Sequence, residues 1–274
     1  MELSGKQIAL RIFAEIRSDC ASLPANVLPT LVIITLGKEV AWEAYVQQKL
    51  KRGAAAGINT IHNNLSNASQ EELIQEVERL NKDSFVHGVI IQRPLPVGFD
   101  TQLVANTVLE TKDVDGFRTN SPFEVPVFLA VKRLLQETSY LAKLKNQTVT
   151  VIGKGESAGK LIINGLRKIG ISPQIIDSQT ANPQTVLKLS DIIISCVGKT
   201  VLHPQDLKPG VILIGVGIHR DNNGKLKGDY NEEEVKDIAS YYTPTPGGVG
   251  PLNLAYLFKN VIKAAILATK KHSC

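Results

Sequence analysis

T-V-T-V-I-G-K-G-E-S-A-G, residues 148–159, joins a short apolar strand to a glycine turn and the start of a helix. The β-branched run predicts a strand over 148–152, and the apolar spacing beyond it predicts a helix over 157–169. Gly153, Gly155 and Gly159 stand between them as G-x-G-x-x-x-G. Glycines there let the backbone turn tightly and approach a pyrophosphate, while the helix N-terminus offers N–H groups and positive dipole charge. Such a turn alone serves many α/β proteins, and its position adds weight. Gln174–Ile176 reads as the next strand, and Asp177 ends it 24 positions after Gly153, near where an acid meets the ribose hydroxyls of NAD. A plain tight turn with a strand-end aspartate is the alternative. Glu156 sits awkwardly, since a carboxylate repels a pyrophosphate.

Working outward, strands and helices alternate. Residues 31–36 read as a buried strand ending at Gly37. Val40–Ala56 reads as a helix closed by Gly57. A helix over 69–82 and a strand over 86–92, stopped by Pro94 and Pro96, follow. Strands at 191–196 and 211–214 and a helix over 252–269 complete the pattern, with 124–137 and the stretch after Pro251 as linkers. This alternation predicts an α/β fold of parallel strands joined by crossover helices, with ligands at the C-terminal strand ends.

A chain of 274 residues suits one large domain or two modest ones. The 43% hydrophobic and 21% charged composition is that of an ordinary globular protein. No apolar run approaches the roughly 20 residues of a membrane span. The N-terminal residues read as an amphipathic helix and lack a signal-peptide pattern. Cys20, Cys196 and Cys274 are odd in number and far apart, which argues against a disulfide framework and against zinc. These readings point to the cytoplasm. The net charge of +5 is spread along the chain, with Lys51 and Arg52 read as a solvated helix face. The mild positive field favours a small anionic ligand over nucleic acid, and no aromatic-interleaved basic stretch supports the latter.

Four polar residues stand out from this frame. Tyr45 and Lys49 are four apart in Y-V-Q-Q-K, so a helix sets them on one face. Gln92 lies in V-I-I-Q-R-P-L-P and Asp115 in K-D-V-D-G-F. A lysine near a phenol, an amide and a carboxylate can be held in place and have its proton affinity tuned.

Further blocks share an order with these. They are V-G-K at 197–199, K-P-G-x-x-x-I-x-V-G-I at 208–218, G-K-x-x-G-D at 224–229 and T-P-x-P-G-G-V-G-P at 243–251. Over nearly its whole length the chain resembles the bifunctional methylenetetrahydrofolate dehydrogenase/methenyltetrahydrofolate cyclohydrolase family. The resemblance implies two α/β domains: residues 1–120 and 251–274 as the folate-binding catalytic domain, and 121–250 as a Rossmann-type dinucleotide-binding domain. It implies oxidation of 5,10-methylenetetrahydrofolate with NADP, or NAD, and hydrolysis of the methenyl product to 10-formyltetrahydrofolate. It implies Lys49 as the proton-handling group, Gln92 holding its amine, Tyr45 packing on the folate and Asp115 binding the pterin. Pro246, Gly247, Gly248 and Gly250 would form a close-approach loop beside the folate. Gly153, Lys154, Gly155 and Ile218 match nucleotide contacts of the family. Lys154 and Ser178 fall where the 2′-phosphate of NADP is met, whereas Asp177 favours NAD; the reading leans to NADP. A cytoplasmic homodimer of one-carbon metabolism, serving purine biosynthesis, is implied as well.

The chain departs from the family pattern in places. F-E-V-P-V-F at 123–128 replaces P-C-T-P-x-G, and the loop before it is shorter. Gly215 stands where an aspartate is usual, and Trp42 replaces a small polar residue. Arg93 replaces an apolar residue and is read either as a ligand for the substrate's glutamate tail or as a surface arginine. A short-chain dehydrogenase also uses Y-x-x-x-K, but there the pair follows the nucleotide strands. Three alternatives stay open at this point: a cyclohydrolase with a degraded dehydrogenase site, a shikimate-dehydrogenase-like oxidoreductase, and a non-catalytic folate- or dinucleotide-binding protein.

Overall fold

A computed structural model describes residues 1–37, 40–138, 144 and 146–271, with the side chains of 40–42 and 271 outside the description. Trp42 and Cys274 fall under that limit. The first elements in chain order are α1 (Gly5–Ala21), β1 (Thr30–Thr35), α2 (Val40–Ala56), β2 (Asn59–Asn64), α3 (Gln70–Lys82), β3 (Gly88–Ile91), α4 (Thr101–Thr107) and α5 (Pro126–Glu137). Next come β4 (Val149–Ile152), α6 (Gly159–Lys168), β5 (Gln174–Ile176), α7 (Pro183–Leu189), β6 (Ile192–Ser195) and β7 (Ile212–Gly215). Last are β8 (His219–Arg220), β9 (Leu226–Lys227), α8 (Glu232–Val235), β10 (Tyr241–Tyr242) and α9 (Val249–Lys271).

Two compact units divide the chain. One takes Leu10–Pro126 with Leu254–Cys274, the other Met1–Ala9 with Val127–Asn253. These bounds differ from the expected domains mainly at the N-terminus. Leu3 N–H donates to Tyr242 O at 2.7 Å and Tyr242 N–H to Met1 O at 3.1 Å, which ties the first residues beside β10. No local pattern encodes that pairing.

The first unit holds a parallel sheet in the order β2-β1-β3. β1 is buried at every position, which explains its unbroken apolar run. β2 was not anticipated: N-T-I-H-N-N is polar because it lies at the sheet edge, mostly open to solvent. α3 packs Leu73, Val77 and Leu80 inward from one face, and Ser69 and Glu72 close its N-terminus as a capping box. α2 ends before Gly57 at φ +79, where a side chain would be strained.

α9 is, among the described residues, the one helix long and apolar enough by length and composition to cross a bilayer. Asn253, Lys259, Asn260 and Lys263 interrupt it, so it holds no unbroken apolar run of span length. Its stripe of Ala255, Phe258, Val261, Ile262 and Ala265 is at most 2% exposed, and the Phe258 ring lies 6.1 Å from that of Phe13 on α1. The apolarity therefore serves a protein core.

The second unit holds a five-stranded parallel sheet, β10-β7-β6-β4-β5. The chain runs from β4 to β5 on one side, then crosses back to β6 on the other. Neighbouring connections thus leave β4 in opposite directions, which opens a crevice at the C-terminal ends of β4 and β6. A small antiparallel hairpin, β8–β9, follows β7.

Candidate active site

Gln92 is the first residue past β3. Its N–H donates to Ile34 O at 2.8 Å, continuing the β1–β3 ladder by one step. That register sets its side chain beside the crossover from β1, which is α2, the helix bearing Tyr45 and Lys49. Lys49 Nζ donates to Gln92 Oε1 at 2.7 Å, while Gln92 Nε2 donates to Arg93 O at 3.1 Å. The second bond turns the amide oxygen toward the lysine. Tyr45, one turn away, leaves 45% of its surface exposed.

The charges here are mutually tuned. Burial pulls the Lys49 amine below its ordinary value, and attraction to Asp115 offsets part of that shift. Burial pushes Asp115 up to about 6; Lys49 and then Arg93 draw it down, while Asp113 pushes it up. An acid raised and an amine lowered bring both groups nearer to neutral pH, where proton transfer is useful.

Asp113 was missed by sequence reasoning. It is buried and accepts from the N–H groups of Phe117 and Arg118, each at 3.1 Å, so it ties the loop that presents Asp115. The hint lay in K-D-V-D itself, two acids at a spacing that gives them different surroundings. Arg93 holds its guanidinium 4.0 Å over the Phe117 ring and donates to Thr101 O at 3.4 Å. Arg93, Asp113, Asp115 and Phe117 share a cavity of about 20 Å³, room for about one water.

Residues 123–125 pack against the loop that carries Asp115. Gly116 takes φ +71, and a Cβ there would stand 3.0 Å from Phe123 O. Asn260 on α9 donates to both Val114 O, at 2.8 Å, and Glu124 O, at 3.0 Å. The loop between them is thereby fastened at both flanks.

In the second unit, Gly153 ends β4 at φ +85, and a Cβ on it would press on Cys196 O at the end of β6. A Cβ on Gly159 would collide with Gly153 O, so the first turn of α6 closes onto the strand only with glycine there. Gly155 has open space around it. These features fit a nicotinamide dinucleotide: bare backbone and a helix N-terminus at the sheet's crossover point. Asp177 follows β5 and meets Lys154 at 2.6 Å; that hydrogen bond, then the Gln179 N–H, holds its carboxyl below the usual range. Ser178 is exposed beside it. Glu156 pairs with Lys160 one turn on at 3.6 Å, both well exposed. Ile218 lies past β7, and a Cβ on Gly198 would stand 3.2 Å from its carbonyl oxygen.

Gly215 also has a physical reason. A Cβ there would stand 3.2 Å from the Tyr230 ring. The phenol donates to Thr243 O at 2.7 Å and accepts from Thr243 N–H at 3.0 Å. Tyr230 thus fills the space that a side chain at 215 would need. Pro246, Gly247, Gly248 and Gly250 lead into α9 in this same unit, with Gly247 at φ +122 and its oxygen accepting from Lys6 N–H at 2.8 Å. Among the described residues no group of acids, histidines and cysteines could hold a metal ion, and Cys20 and Cys196 are free thiols.

Residues 3–115 match the catalytic domain of the Tetrahydrofolate dehydrogenase/cyclohydrolase family, and residues 127–269 match its NAD(P)-binding domain. Bifunctional protein FolD 3 of Ectopseudomonas mendocina is 35% identical over 280 residues, covering 97% of this chain and 91% of that one. The crystal structure of the bifunctional FolD methylenetetrahydrofolate dehydrogenase/cyclohydrolase from Campylobacter jejuni superposes with a TM-score of 0.91 at 31% identity, covering 97% of this chain and 99% of that one. A Trypanosoma brucei methylenetetrahydrofolate dehydrogenase-cyclohydrolase, solved with NADP and an inhibitor, gives a TM-score of 0.90 at 27% identity over 98% of each chain.

Proposed function

This chain belongs to the tetrahydrofolate dehydrogenase/cyclohydrolase family, and we propose that Lys49, held by Gln92 and paired in charge with Asp115, carries its hydrolytic step. The protein is a bifunctional enzyme: it oxidises 5,10-methylenetetrahydrofolate to the methenyl form with NAD(P) and hydrolyses that to 10-formyltetrahydrofolate. The cyclohydrolase-only, shikimate-dehydrogenase-like and non-catalytic readings gain no support from these relatives.

The observation that carries the reading is the 2.7 Å bond from Lys49 to Gln92, with the Asp115 carboxyl coupled in charge to the same amine. In hydrolysis, a water oxygen adds to the methenyl carbon and gives up a proton, and Lys49 is the group placed to take it. The hydroxyl then gives up its remaining proton as the formyl C=O forms and the carbon–nitrogen bond opens, and the released nitrogen's electron pair takes up a proton, so one proton is set free overall. Gln92 fixes the amine, Asp115 binds the pterin, and the half-exposed Tyr45 ring offers a face to the folate. Arg93, its plane set by Phe117, is offered to a carboxylate of the substrate's glutamate tail. Pro246, Gly247, Gly248 and Gly250 give backbone against which a flat ring can lie.

The oxidation asks less of side chains, because the nitrogens flanking the carbon stabilise the cation. A bound nicotinamide dinucleotide supplies the hydride acceptor. Gly153, Lys154, Gly155, Asp177, Ser178 and Ile218 are proposed to hold it, in a cytoplasmic homodimer whose product serves purine biosynthesis. The protein is tested by following nicotinamide reduction with 5,10-methylenetetrahydrofolate and, separately, loss of the methenyl absorbance. Hydrolysis without reduction of either dinucleotide would overturn the two-activity reading.

Two outcomes are expected within this scheme. Gln92→Ala leaves the Lys49 amine without its acceptor, so hydrolysis falls roughly 10-fold to 100-fold; an unchanged rate would remove Gln92 from the mechanism. Asp177→Ser removes the carboxylate that would repel a 2′-phosphate and releases Lys154 to meet it. The NADP-over-NAD ratio of kcat/KM therefore rises, roughly tenfold, and a constant ratio would show that Asp177 does not face the ribose.

A further inference from the structure

Asp229 is fully buried, yet the nucleotide contacts assigned above give it no role. It follows the β8–β9 hairpin, and its carboxylate accepts three hydrogen bonds. One oxygen takes Ser195 Oγ at 2.6 Å and Val197 N–H at 2.9 Å; the other takes Gly198 N–H at 2.8 Å. All three donors sit at the C-terminal end of β6, the neighbour of β4 at the sheet's crossover point.

A second loop closes on the same carboxylate. The N–H groups of Val216 and Gly217 donate to Ser195 O at 2.8 and 3.1 Å. A Cβ on Gly217 would collide with both Asp229 oxygens and with Gly198 N, so glycine there lets the strand-end loop pass against the carboxylate. Gly198 itself takes φ +73 and lies against Ile218 O. One buried carboxylate thus sets the backbone of 197–198 and, through it, that of 217–218.

We propose that Asp229 is a positioning residue for the nicotinamide dinucleotide, acting through the loops that end β6 and β7 without touching the cofactor. The inference rests on the nucleotide reading of the Gly153–Gly159 turn. Its physical basis is that two amide N–H groups of a strand-end loop are captured by a fixed charge. Without that charge they must turn toward water or toward other acceptors, and the loop turns with them. A satisfied buried carboxylate that merely stabilises its unit would share the burial, but it would not couple to the nucleotide.

The test is calorimetric titration of NADP into the full-length wild type, Asp229→Asn and Ser195→Ala, with thermal unfolding and both steady-state activities measured alongside. Asp229→Asn should raise the Kd and the KM for NADP roughly tenfold or more, and Ser195→Ala should raise them severalfold in the same sense. Hydrolysis of methenyltetrahydrofolate needs no nucleotide, and its kcat and KM should stay within about twofold of wild type. Wild-type NADP affinity in both variants, with only a lowered unfolding temperature, would overturn the proposal. So would loss of hydrolysis together with NADP binding in Asp229→Asn while Ser195→Ala binds NADP normally. A wild-type protein that binds neither NADP nor NAD would instead overturn the nucleotide reading beneath it.

Discussion

Lys49→Ala is expected to reduce methenyltetrahydrofolate hydrolysis by roughly a thousandfold or more, the scale of a lost general acid–base group. The amine is singular in its surroundings. It donates to Gln92 Oε1 at 2.7 Å, burial pulls its proton affinity down, and Asp115 holds part of that affinity in place. Arg93 cannot substitute, because a guanidinium does not give up its proton at working pH. Lys49→Arg separates charge from proton transfer: it keeps a cation near Asp115 but cannot give up a proton, so hydrolysis should stay low. NADP titration supplies the control, since the glycine turn lies in the other unit and should bind as before. Hydrolysis near the wild-type rate in either variant would remove Lys49 from the mechanism.

Asp115→Asn is expected to raise the KM for both folate substrates roughly 10-fold to 100-fold, as for a lost charge-assisted contact, with the Kd for NADP unchanged. The pH dependence carries a second, sharper sign. Burial pushes Asp115 up to about 6, so the carboxyl is ionised above that pH and neutral below it. An ionised carboxylate accepts from pterin N–H groups better than a neutral carboxyl does. The wild-type KM should therefore rise as pH falls through about 6, and the variant should lose that rise. Asp115 also raises the proton affinity of Lys49, so its removal should move the ionisation governing hydrolysis toward lower pH. A wild-type KM flat across that range, or a variant that keeps the dependence, would show that Asp115 does not bind the pterin.

Much of the fold was legible because local physics wrote it into short stretches. The unbroken apolar run of β1 reflects burial on both faces, and the 3.6-residue stripe and capping box of α3 reflect one buried face. Gly57 marks the end of α2 because only glycine takes that φ at no cost. The misses have equally specific causes. β2 lies at a sheet edge and needs no apolar side chains, and β10 is two residues long, formed by pairing with β7. Which face of the apolar helix α9 is buried was likewise seen only in the structure.

For the candidate site, residue types suggested a proton-handling lysine and a nucleotide turn, and the two activities followed only from the resemblance of the ordered blocks to a known family. Sequence by itself determined the parallel α/β plan, the glycine turn, and Tyr45, Lys49, Gln92 and Asp115 as the residues to watch. Tertiary structure alone decided what those residues feel. The β1–β3 register brings Gln92 to Lys49, and burial shifts Asp115 while Asp113, two positions earlier, is spent on holding the loop. Asp229 belongs to the same class: it lies 34 positions from Ser195 and 31 from Gly198, and only the sheet brings them together. Proton affinity and loop position depend on distance and desolvation, and neither is a property of neighbours along the chain.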